Sequence, residues 1–253
     1  MADFTTREKL LVFFPYGHFN WSVLSRDNIY NIVSKAAYHD MTPRHLKGIG
    51  KYKNEKEAIF NKVTDALVLY SIQSPKTKEE FDNWHKELCE EVCRDFSALP
   101  DIELKFGKAQ KLVNISFKHL YYFLDSAERT DYFKYCHIPV DNNVIDWCKK
   151  HAGIAKPDIS WSNLSFEQYH DFQENVFLWL NSAANKVYRD YDGTPYSALQ
   201  LDFIAWMSDS NARHGVIDEW RRLRDAKEWW NQYADIVISQ FPELVEQVNN
   251  QFH

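Results

Sequence analysis

Glycine is scarce in this chain, 7 residues in 253, and regular alternation of apolar and polar side chains is scarce too; these shortages disfavour a sheet protein. Positive charge is not in excess either. A formal net charge of -6 argues against a protein that coats nucleic acid along its length, though it leaves room for one local basic groove. The 4 cysteines, Cys89, Cys93, Cys136 and Cys148, include no CxxC pair and no iron-sulfur spacing, so they read as reduced thiols. Cys89 and Cys93 share a helix face at i,i+4 as metal ligands would, but buried small apolar residues are the better reading, and neither metal nor cofactor is expected. Long apolar runs are missing. Leu10 to Phe14 is too brief for a signal peptide or a bilayer span, which predicts a cytoplasmic protein without a membrane partner.

What is present is material for a core: 45% hydrophobic residues and 16% aromatics, enough for one large domain or two small ones. An all-α protein follows. Asp27 is placed to cap a helix reaching about Tyr38, preceded by an aromatic, amide-rich turn, Tyr16 to Trp21, in which Asn20 and Trp21 suit either core packing or a pocket for a flat ring. Leu46-Lys47-Gly48-Ile49-Gly50, ringed by Arg44, Lys51 and Lys53, has the shape of a hairpin whose amides approach a phosphate, or is an ordinary basic loop. Helical spacing recurs over Ala58 to Ile72, Thr77 to Phe96, Phe166 to Val187, Ser197 to Met207 and Val216 to Phe252.

The stretch from about 97 to 150 organises the rest. Gly107, free to adopt a positive φ, opens a helix running to about Leu124. A step of about 100° per residue puts Val113, Ser116, Phe117, Leu120, Phe123 and Leu124 on one side of it, and Lys108, Lys111, Ile115 and Lys118 on the other. One face reads as core and the other as cationic, its lysines either solvated as on an ordinary surface helix or, given the segment that follows, part of a site. Pro139 then fixes the chain before Asp141, which stands where an N-cap belongs, ahead of Asn142 to Trp147. That carboxylate is either a cap alone or a cap that also serves as counter-charge, held ionised by the helix start. Asp202 and Trp206, one turn apart, suit a pocket with a carboxylate and a ring, or an ordinary helix start with a packed tryptophan.

These residues resemble the helix-hairpin-helix superfamily of DNA glycosylases, most closely its archaeal 8-oxoguanine branch. The turn ending in Gly107, Lys111 near the helix start and the Pro139-Val140-Asp141 segment are similar to that family's motif, and Asp202 with Trp206 to its base-pocket pair. The usual Leu-Pro-Gly-Val-Gly hairpin is replaced by Leu104-Lys105-Phe106-Gly107, and Lys108 competes with Lys111 as nucleophile. The resemblance implies a single unit over residues 1–253, two helical lobes with a central cleft, acting as a monomer on DNA. It implies Lys111 and Asp141 as catalytic residues, and Asp202, Trp206, Asn20, Trp21 and Pro139 around the base. Gly107, Lys105, Lys108 and Lys118 would contact DNA. The activity implied is excision of an 8-oxoguanine-like base, with lyase activity if Lys111 forms a Schiff base, its amine brought below its ordinary pKa of about 10.4 by burial or by Lys108. Two other readings remain: a glycosylase attacking hypermodified, for example glucosylated, bases of invading DNA, and a non-catalytic helical binding module.

Overall fold

The computed structural model describes residues 25–41, 46, 48–123, 130–189 and 193–207. Every extended element among them is isolated: no strand is present, and the regular structure is helical. By its contacts the chain divides into two compact units, Asn20–Ala205 and a second formed from Met1–Phe19 with Trp206–His253. The first carries the helices from Arg26 to Ala205.

Helix α1 (Arg26–Asn31) starts at Ser25, whose Oγ accepts the Asn28 amide at 3.2 Å, so Ser25 and not Asp27 is the cap. It runs on through a π-helical stretch, Ile32–Ala37, into a last turn, Tyr38–Asp40. Gly48, with φ 81°, reverses the chain before a 3-10 turn, Ile49–Lys51; Arg44 and Lys47 of that basic loop lie outside the described residues. Helix α2 (Lys53–Ile72) ends before Ser74-Pro75, and α3 (Lys78–Ser97) begins at a Thr77/Glu80 capping box. Then come α4 (Phe106–Phe123), a short turn α5 (Thr130–Phe133), α6 (Asn142–Ala152), α7 (Phe166–Leu180) and α8 (Ala198–Met207). Helix α7 stops at Leu180 rather than Val187, because Asn185 turns inward and ties its amide to the carbonyls of Leu180 and Tyr188. The expected turn at Tyr16 to Trp21 and the helix over Val216 to Phe252 lie outside the described residues.

Helix α4 is the centre of this unit, packed by the π-helical stretch of α1, by α3, by the 3-10 turn Trp161–Asn163 and by α7. It is buried on every side. Leu112, Val113, Phe117 and Leu120 are fully enclosed, but so are Gln110, Asn114 and Ser116, and Lys111 and Lys118 are each only 8% exposed. The reading of an ordinary surface helix with solvated lysines therefore fails: Ile115 is buried, and Lys111 and Lys118 point into protein and find partners there. Around α4 an aromatic cluster of Tyr70, Phe81, Trp84 and Phe117 packs edge to face at centroid separations of 4.9 to 6.0 Å.

Candidate active site

Asp141 caps α6, its Oδ1 accepting the Val144 amide at 3.0 Å, and its Oδ2 accepts from Lys111 Nζ at 2.6 Å. Both halves of the pair are largely enclosed, with side-chain exposures of 10% for Lys111 and 21% for Asp141. The Trp161 ring lies over the same ammonium, 5.1 Å from ring centre to Nζ, and adds a cation–π contact. Gly107 makes that approach feasible: a Cβ there would stand 1.9 Å from the Trp161 carbonyl oxygen, and the Gly107 N–H donates to Leu164 O at 3.2 Å. Gly107 is glycine for close contact, not for a positive φ, and its amide is spent on Leu164 rather than left for a phosphate.

A second buried pair, Lys118 Nζ to Asp202 Oδ2 at 2.6 Å, joins α4 to α8. The contact is one of charge, since Oδ2 has no partner in hydrogen-bond geometry. Burial pushes the Asp202 carboxyl above its ordinary range, against the pull of Lys118. Lys118, placed by sequence in a DNA groove, is thus an interior counter-ion, since a carboxylate from α8 claims its ammonium. Besides Trp161, sequence reasoning missed two further members of the cluster. Asp40, from the end of α1, keeps 37% of its side chain exposed; what burial it has raises its pKa, but His39 and then the charges of Lys111 and Lys118 draw it below its ordinary value. His119, from α4, is driven down to about 3 by burial and then by Lys118, so it is neutral at pH 7. Neither stood near a recognisable motif; only the fold brings the end of α1 to the middle of α4.

The cluster also decides the state of Lys111. Burial lowers its pKa, but Asp141, Asp40 and Asp202 outweigh burial and hold it above the ordinary lysine value. The lowering anticipated from burial and from Lys108 does not occur in the resting site, because the charges that dominate there are carboxylates. Lys108 is half-buried, and burial depresses its own pKa. Lys105 is exposed and paired with Glu103.

Behind the pair runs a buried polar chain. Asn114 donates to Gln110 Oε1 at 2.9 Å and to Tyr169 Oη at 2.8 Å, and its own oxygen faces His85 Nε2 at 2.8 Å. Tyr169 Oη lies 2.9 Å from His137 Nδ1, whose Nε2 lies 2.9 Å from Asp82 Oδ1. His85 Nε2 donates to the Asn114 oxygen and so cannot take the phenol proton, which goes to His137 Nδ1; the His137 proton then sits on Nε2 toward Asp82.

Among the described residues Asp82, His170 and Glu174 could hold a metal, their donor atoms lying within 4.8 Å of one another; the Lys78 ammonium bonds to both carboxylates there. A pocket of about 320 Å³, walled by Tyr121, Tyr135, Phe177 and Tyr196 and floored by His137 and Gln173, has neither Lys111 nor Asp141 in its lining. Pro139 is buried beside Asp141. Asn20 and Trp21 lie outside the described residues, and Trp206 belongs to the second unit. The structure therefore brings together Lys111, Asp141, Lys118 and Asp202, and adds Asp40, His119 and Trp161. No protein-family model, curated protein or solved structure matches the chain. No helix among the described residues is long and apolar enough to cross a membrane.

Proposed function

We propose that this chain is a DNA N-glycosylase that removes a damaged or modified base. The observation that carries the reading is the enclosed Lys111–Asp141 pair, a lysine and a helix-capping carboxylate held 2.6 Å apart with the carboxylate still partly open to solvent. Cleaving an N-glycosidic bond leaves positive charge at the sugar C1′, and a carboxylate fixed at a helix start is pre-organised to stabilise it. Lys111 rests as an ammonium, so its first role is as an acid. As the C1′–N bond breaks, its electron pair leaves with the base and the base takes a proton from Lys111. The amine so released attacks C1′ and forms the C–N bond, the second Nζ proton passes to Asp141, and Asp141 returns it to O4′ as the C1′–O4′ bond breaks, opening the ring to a Schiff base. This order removes the need for a depressed lysine pKa before substrate binds.

The base must leave the duplex to reach such an interior pair. Exposed Lys105 and half-buried Lys108, at the start of α4, are the DNA contacts in this reading, whereas Gly107 and Lys118 are not. Incubation with 8-oxoguanine duplexes and with glucosylated phage DNA, followed by alkaline heating to reveal abasic sites, tests the function and names the base. Cleavage of the first assigns repair of oxidised guanine, and cleavage of the second alone assigns attack on invading DNA. Cleavage of neither, with DNA still bound, leaves a binding module.

A further inference from the structure

Among the described residues no strand lies beside the extended segment that delivers Asp141, yet the peptide groups of Ile138 and Val140 are buried and need partners. Two glutamine side chains stand in for a strand. Gln173, from α7, accepts the Ile138 N–H on Oε1 at 3.1 Å and donates through Nε2 to the Ile138 carbonyl at 2.8 Å. Gln110, from α4, accepts the Val140 N–H at 3.2 Å and donates to the Val140 carbonyl at 3.0 Å. A primary amide carries the donor and acceptor of a peptide group, so each glutamine makes the reciprocal pair that antiparallel strands exchange. Pro139, between the two clamped residues, has no N–H to satisfy, and Asp141 follows directly.

We propose that Gln110 and Gln173 are positioning residues that hold the Asp141 carboxylate in register with Lys111, acting through the backbone of Val140 and Ile138. The proposal rests on Lys111 and Asp141 being the reacting pair. Gln110 is fully buried and Gln173 is 4% exposed, and amides are costly fillers of such space unless every polar atom is used. Gln110 uses all of its capacity: Oε1 also accepts from Asn114, and Nε2 also donates to the Gly107 carbonyl at 2.8 Å. The clamps come from two helices, α4 and α7, on which the segment would otherwise slide. Because Lys111 follows Gln110 in α4, one helix fixes both members of the pair.

The test is substitution of Gln173 by glutamate and by methionine. Protonated, the glutamic acid restores both bonds to Ile138; ionised, it opposes the Ile138 carbonyl, and burial raises the pKa at which that happens. Excision by Gln173→Glu should match wild type within about two-fold near pH 5 and fall at least about ten-fold behind by pH 8, in kcat rather than KM. The wild-type profile is the control for Lys78, His137 and Glu174, which line one pocket with Gln173, and for Asp82 and His170, which pair with them. Gln173→Met should lose about ten-fold or more at every pH, and add nothing in an Asp141→Asn background. A readout independent of activity is amide exchange: Val140 and Val144 should exchange at least about ten-fold faster in Gln173→Met, with the α3 amides unchanged. If Gln173→Met fails to fold, Gln173→Glu alone decides. A pH-independent Gln173→Glu with wild-type rate and exchange overturns the proposal. Should the wild-type protein release no base, the glycosylase reading falls, and exchange alone then judges the clamp: unchanged protection at Val140 and Val144 refutes it.

Discussion

Asp141 has two separable tasks, and substitution removes them one at a time. Its Oδ1 caps α6 through Val144, and its Oδ2 meets Lys111. Asparagine still caps a helix but carries no charge, so Asp141→Asn removes the pair alone. Losing one partner of a buried pair costs about 3–5 kcal/mol. The cost here falls just below that range, because the Asp141 side chain is 21% exposed and Asp40 and Asp202 remain to oppose the Lys111 charge. The expected loss is about 2–3 kcal/mol for Asp141→Asn, and about 1 kcal/mol more for Asp141→Ala, which also loses the cap. Lys111→Met combined with Asp141→Asn removes both charges, and should be less destabilised than the sum of the singles by about 1.5 kcal/mol or more. Urea unfolding at pH 7 reads these values as shifts in midpoint at constant slope. An Asp141→Asn variant within about 0.5 kcal/mol of wild type refutes the argument from burial. Equal losses for the asparagine and alanine variants refute the argument from capping.

On substrate, Asp141→Asn should slow base release at least about 100-fold while DNA affinity holds, because the lost charge acts mainly in the transition state; equal losses of rate and affinity would contradict this. Borohydride should trap a covalent DNA complex with wild type and with Lys108→Ala but not with Lys111→Ala, and the reverse pattern would move the nucleophile to Lys108. Gly107→Ala should cost at least about 2 kcal/mol, since the new methyl collides with the Trp161 carbonyl oxygen, and a neutral result in thermal unfolding would contradict the close approach. His85, His119 and His137 all have pKa values held below 6.5 by burial, so the unfolded chain takes up protons first and stability falls as pH drops below 6.5. The His119 share is about 1.4 kcal/mol per pH unit, from its unfolded pKa down toward about 3; His119→Gln should flatten the profile by that slope, and an unchanged slope would contradict the assignment.

The sequence by itself determined the elements. Scarce glycine, capping residues at Thr77 and Asp141 and the Ser74-Pro75 break delimit helices through local sterics and through amides that the chain's own next residues satisfy. Asp141 as an N-cap needs only residues up to Val144, and so was legible. Its pairing with Lys111 across a long loop was suggested only by the order of motifs. What the tertiary structure alone decided is the environment of α4. Periodicity treats a lysine as a sign of solvent, which holds unless a carboxylate from another helix meets it indoors. Asp202 meets Lys118 from α8, Asp141 meets Lys111 from α6, and Gln110 and Asn114 are satisfied by the 138–140 segment and Tyr169. Those partners are distant in sequence, so no local pattern announces them. The charge state of Lys111 was hidden for the same reason: a residue's pKa is set by whichever charges the fold assembles around it, and here three aspartates from three different helical segments outweigh burial.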